Sequence, residues 1–126
     1  MNIRIHRDMR QFAEKFGIAS TSYYMKTSSR RILYISSEYE WKVASSEERK
    51  NNIILLYEKV NNVKLQKYNP MDYQEFFELF GNAATEQYSG LSRQNVNYYA
   101  TRYNWISPSR DQINENIIRY YNLFNR

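Results

Sequence analysis

The chain has 126 residues, no cysteine and a formal net charge of +5, with 13 tyrosines, six phenylalanines and two tryptophans. That length holds one domain or two very small ones, and the rings promise a core that is bulky and partly polar rather than built of leucine and valine. A disulfide framework, a thiolate zinc site and a cysteine nucleophile are excluded, and no apolar run approaches the roughly 18 residues of a membrane span.

Charge is unevenly spread. Residues 1 to 31 carry seven basic and two acidic groups, residues 71 to 92 carry four acidic and no basic groups, and residues 93 to 126 carry five basic and two acidic groups. Basic zones at both ends suit a surface that faces phosphate.

In chain order, Asn2 to Ile5 alternate as a short strand would. Phe12, Ala13 and Phe16 then fall at helical spacing, and Gly17 ends that helix with a positive φ. Ser20 and Thr21 are placed to cap a second helix carrying Tyr23, Tyr24 and Met25. The segment RRILYISSEYEWKVA reads as a β-hairpin, ILYIS and EWKVA joined by Ser37, Glu38 and Tyr39. Ser45 or Ser46 caps a further helix, with Glu47 and Glu48 in its first turn and Ile53, Ile54, Leu56, Tyr57 and Val60 along it.

Asn69-Pro70 opens the next helix, whose Tyr73, Phe76, Phe77 and Phe80 form a stripe that ends at Gly81. Helical runs follow over 82–88 and 92–105, and a last helix spans about 110–124 after Ser107-Pro108-Ser109. The expected fold is mainly α with a small β-hairpin. It divides into an N-terminal unit, 1–69, and a C-terminal unit, 70–126, packed as one body, each with a helix-turn-helix-like segment.

Two stretches carry that motif. In the first, Phe12, Ala13, Phe16, Gly17, Ile18 and Tyr23 occupy the places of a packed helix, a turn glycine, the residue that plugs the angle and an inward residue; Lys26 departs from the pattern. This segment resembles the helix-turn-helix of excisionase-like phage or mobile-element regulators, with the hairpin as the wing of a winged helix. The resemblance implies DNA read by the second helix, through Ser20, Thr21, Ser22, Tyr24 and Lys26, with Arg30 and Arg31 on the backbone.

In the second stretch, Gly90, Leu91, Val96 and Tyr99 fall at motif spacing, and Ser92 caps a helix that opens Arg93, Gln94, Asn95. These residue types suit guanine and adenine edges in the major groove. Val96, Tyr99 and Tyr103 are expected to pack inward, leaving Arg93, Gln94, Asn97 and Thr101 as a polar stripe with Arg102 beside it. Gly17 and Gly90, 73 positions apart, suggest a tandem pair of half-similar units, although the intervening segments show no obvious repeat.

Catalysis has little to stand on. His6 has no second histidine and no serine-histidine-acid pattern around it, and the three glycines are isolated, so no enzyme, cofactor or metal is expected. Two functions remain. One is a cytoplasmic, sequence-specific regulator that binds double-stranded DNA, with a homodimer on a two-fold site as one form it could take. The other is a phage-encoded inhibitor, anti-CRISPR-like, that binds a host nuclease or polymerase through exposed tyrosines and arginines.

Overall fold

A computed structural model describes residues 3–66 and 68–125, with side chains described from Arg7 onward. Six α-helices form: α1 (Ile3–Met25), α2 (Ser29–Glu38), α3 (Ser46–Asn61), α4 (Gln74–Ser89), α5 (Arg93–Arg102) and α6 (Arg110–Phe124), with a 3-10 turn at Pro70–Tyr73 before α4. There is no strand among the described residues.

The expected hairpin over residues 31–44 is therefore corrected, and with it the wing. Ser28 accepts a hydrogen bond from Arg31 N–H (3.1 Å) and caps a helix whose Ile32 and Ile35 turn inward while Leu33 and Tyr34 face out. Burial three residues apart is helical; a strand would bury every second residue. The strand expected at 2–5 is also overturned, since α1 begins by Ile3; Asn2 and the His6 side chain lie outside the described residues.

The chain divides into two compact units, Met1–Asn52 and Ile53–Arg126, with the boundary inside α3 rather than between residues 69 and 70. They repeat one local architecture at an offset of 64 residues. Gly17 and Gly81 kink α1 and α4 with the same backbone, φ 88 and ψ −177 against φ 87 and ψ −178, a region that is essentially glycine-only. Each kink is braced identically, because Thr21 Oγ1 donates to Gly17 O and Thr85 Oγ1 to Gly81 O, both at 2.7 Å.

The correspondence continues along the chain. Ser28 and Ser92 cap α2 and α5; Trp41 N–H donates to Ser36 O (2.8 Å) and Trp105 N–H to Ala100 O (2.9 Å). Capping boxes at Ser45 with Glu48 and at Ser109 with Gln112 start α3 and α6. Asn52 Nδ2 donates to Lys15 O and Asn116 Nδ2 to Leu79 O, each at 2.9 Å. The repeat thus pairs Gly17 with Gly81, not with Gly90; the 73-residue pairing fails because Gly17 lies inside a kinked helix and not in the turn that follows it.

The cores match position by position. In the N-terminal unit Met9, Ala13, Ile32, Ile35 and Trp41 cluster; in the C-terminal unit Tyr73, Phe77, Val96 and Trp105 do so. A second layer of rings braces each kinked helix, with Phe12 and Phe16 centroids 4.9 Å apart and Phe76 and Phe80 5.1 Å apart. Tyr24 lies against Phe12 and Tyr88 against Phe76, both at 4.8 Å. Rings at these separations add about 0.5–1.5 kcal/mol per pair beyond the area they bury.

A candidate nucleic-acid interface and a polar cleft

Each unit turns from its kinked helix into a short capped helix through one left-handed residue. Lys26 (φ 54) follows α1 and Gly90 (φ 76) follows α4, and the Gly90 N–H donates to Glu86 O at 2.9 Å. Glycine takes this conformation without strain, whereas in lysine the Cβ crowds the backbone. Leu91 is half-buried against the C-terminal cluster, and the capped helix then leads off from Ser92. The turn of the second motif therefore lies at Gly90-Leu91-Ser92, as expected, and that of the first at Lys26-Thr27-Ser28, nine residues beyond the place expected for it.

This shift relocates the first candidate face. Ser20 and Thr21 are fully buried: Ser20 Oγ accepts from Arg49 Nε (3.2 Å), and the Thr21 hydroxyl is held by Gly17 O. Burial also lowers the basicity of Arg49, whose charge is largely desolvated there. Ser22 is half-buried, donating to Ala19 O (2.9 Å) and lying 3.1 Å from Ser29 Oγ. Tyr24, expected to face out, is half-buried on Phe12, while Tyr23, expected to face in, is exposed. Of the seven residues expected on this face, Lys26, Arg30 and Arg31 are exposed, and the two arginines lie on the first turn of α2.

The second face fares differently. Arg93, Gln94, Asn97, Thr101 and Arg102 are all exposed on α5, with Val96 buried beneath them and Tyr99 half-buried. Tyr103 is corrected from inward to exposed. The Arg102 guanidinium sits 5.8 Å from the centre of the Tyr103 ring, and hydrogen bonding with the Tyr103 phenol and the charge of Tyr98 push its pKa upward. Arg102 is thus tied to its neighbours, while Arg93 and Gln94 stand at the start of the helix. Sequence reasoning missed Leu33 and Tyr34, exposed on α2 because that helix reads as a strand, and Tyr98, which matches Tyr34 in the repeat.

Beside α5 lies an open cleft of about 680 Å³, lined by Phe77 and Trp105 and by the polar side chains of Asn82, Arg93, Asn97 and Thr101 among others. Asn82 Nδ2 donates to Asn97 Oδ1, but Asn82 Oδ1 and the Trp105 Nε1–H are buried without a hydrogen-bond partner within the protein. Such an orphan costs about 1–3 kcal/mol. Asn82 and Trp105 carried no functional expectation from the sequence; the signal that marks them is the 64-residue offset, which sets Asn82 against Ile18.

No helix among the described residues is long and apolar enough to cross a membrane. Comparison with known proteins found no matching family, no matching curated protein and no matching solved structure.

Proposed function

We propose that the chain is a small duplex-DNA-binding regulator of the phage or mobile-element type, acting in the host cytoplasm and reading DNA with α5 and α2. The observation that carries this reading is the repeated sequence of left-handed turn, serine cap and exposed polar helix at Lys26–Ser29 and Gly90–Arg93. The first turn of a recognition helix is where side chains reach base edges, and Arg93, Gln94 and Asn97 have the donor and acceptor patterns to do so. Lys26, Arg30 and Arg31 fit phosphate contacts, which position a protein on the duplex without reading sequence. Thr101 and Arg102 lie further along α5 and border that contact.

Binding to labelled duplexes across a salt series tests this. Affinity should fall steeply between about 50 and 200 mM salt, and neutralising Arg30 or Arg31 should reduce the log–log slope by about one for each phosphate that the variant leaves unneutralised. Arg93→Ala should weaken a preferred duplex by about 1–3 kcal/mol while leaving random duplex nearly unchanged. Failure of every duplex to bind at low salt would sink the proposal.

A second reading rests on the exposure of Leu33 (58%) and Tyr34 (68%) on α2. An apolar pair of this kind suits a protein partner, as in an inhibitor of a host nuclease or polymerase. It predicts that Tyr34→Ala abolishes inhibition of the target enzyme while Arg93→Ala does not.

A further inference from the structure

Every exposed position of α2 is matched, 64 residues on, by an exposed position of α5. On each helix four of them fall at i, i+3, i+4 and i+7 and so share one outward stripe: Arg30, Leu33, Tyr34 and Ser37 on α2, and Gln94, Asn97, Tyr98 and Thr101 on α5. Serine caps at Ser28 and Ser92 start both helices at the same point, so the two stripes occupy the same place in their own units. No carboxylate stands on either stripe, and Lys26, Arg31, Arg93 and Arg102, all exposed around them, supply the charge that a phosphate backbone complements.

Within the stripes two positions agree and two differ. Between the ten residues of α2 and the ten of α5 a single pair is identical, Tyr34 with Tyr98, and both rings are exposed, so packing does not account for the match. Ser37 and Thr101 share a hydroxyl. Side-chain hydroxyls of these types bond phosphate oxygens and carry no sequence information, which suits contacts common to both units. The differing pairs are Arg30 with Gln94 and Leu33 with Asn97, and these set what each helix recognises.

Gln94 and Asn97 carry the amide pattern that matches adenine N6 and N7 in the major groove. Asn82 Nδ2 already donates to Asn97 Oδ1, but an amide oxygen has two lone pairs, and the second is left for a base amino group. Leu33 offers neither donor nor acceptor. The base feature that suits it in the same groove is the thymine methyl, whose burial against an apolar side chain removes both from water. Resting on the duplex-binding reading above, we propose that the two helices read base pairs by different atoms: α5 reads adenine through Gln94 and Asn97, and α2 reads thymine through its methyl group at Leu33.

Selection from a random duplex library supplies the preferred duplex, in which thymines are then replaced singly by deoxyuridine, which lacks only the methyl, and adenines by 7-deazaadenine, which lacks only the N7 acceptor. At least one deoxyuridine should weaken wild-type binding about threefold or more. That loss should vanish in Leu33→Ala and persist in Leu33→Met, which keeps an apolar tip. At least one 7-deazaadenine should weaken wild-type binding about fivefold, the worth of one hydrogen bond. This second loss should vanish in Gln94→Ala with Asn97→Ala, a variant that keeps the deoxyuridine loss, just as Leu33→Ala keeps the 7-deazaadenine loss. All three positions are exposed, so the fold does not depend on them. The proposal is overturned if the preferred duplex tolerates every deoxyuridine, if Leu33→Ala retains the deoxyuridine loss, or if the double amide variant retains the 7-deazaadenine loss. A chain that binds duplex and gives any of these results loses this inference alone, and tolerance of deoxyuridine returns Leu33 to a protein partner. If no duplex binds at low salt, the regulator reading and this inference fall together.

Discussion

Around Trp41 the protein repeats, with smaller and drier side chains, what it builds around Trp105: Met9, Ala13 and Ile35 occupy the positions of Tyr73, Phe77 and Tyr99. The backbone devices agree far more closely than the side chains do, down to the paired kinks at Gly17 and Gly81 and the threonine hydroxyls that brace them. A kink that only glycine can adopt, a serine cap and a capping box each depend on one or two residue types, so they tolerate little change. Core positions need only apolar volume and complementary shape, and so Met can stand where Tyr does. The helix faces α2 and α5 are freer still, and there the units part company: each helix carries two arginines, but α2 exposes Leu33 and Tyr34 where α5 is rich in amides.

Three experiments bear on how alike the units are. The largest effect should come from the ring layer: Phe12→Ala and Phe76→Ala each remove a side chain that is 1% and 0% exposed, respectively, and should each cost about 3–5 kcal/mol in chemical denaturation. A large disparity between them would break the equivalence of the two layers. Next come the kinks. Gly17→Ala and Gly81→Ala should each cost about 1–3 kcal/mol from backbone strain. Gly81→Ala should be the worse, because its Cβ would come within 3.1 Å of Ile113 Cδ1, whereas at Gly17 the nearest atom is Ala44 O at 3.6 Å.

The third experiment, with a smaller effect, separates the units by pH. Burial, with the charge of Glu75, pushes the Tyr57 phenol up to about 12, and burial also raises Tyr73 and Tyr88. The folded state therefore holds these protons at pH values where the unfolded chain has begun to release them near 10. Their stabilising effect is complete below about pH 10 and is lost as pH rises through the folded values. Unfolding midpoints should drop above pH 10, and Tyr57→Phe should flatten that drop.

How much of this was legible varies with the kind of signal. The ends of α6, and those of α3 to within a residue, follow from local chemistry, since a capping serine and its partner three residues on announce a helix start wherever the chain goes. Residues 31–44 mislead because Ile32 to Ile35 is rich in branched and aromatic side chains, which strands also favour; only the packing of Ile32 and Ile35 against Met9 and Ala13 selects the helix. Gly17 misleads in another way. Its positive φ follows from the sequence, but a glycine that kinks a helix and one that closes it look alike there.

Candidate site residues divide along the same line. Arg93, Gln94 and Asn97 were legible because Ser92 fixes where α5 begins, and with it which side chains share the exposed stripe. Ser20 and Thr21 were misplaced because their burial depends on Arg49 and on the Gly17 carbonyl, one distant in sequence and the other exposed only by the kink.

What the sequence determined by itself is local: the caps, the left-handed glycines and the helical stripes, whereas the 64-residue repeat emerged only from the paired kinks and their braces. Tertiary structure alone decided that α2 is a helix, that Ser20 and Thr21 are core, and that Asn82 and Trp105 meet in one cleft with polar atoms unpaired. The physical reason is that capping and backbone strain act over a few residues, whereas burial is set by which distant side chains arrive to cover a surface.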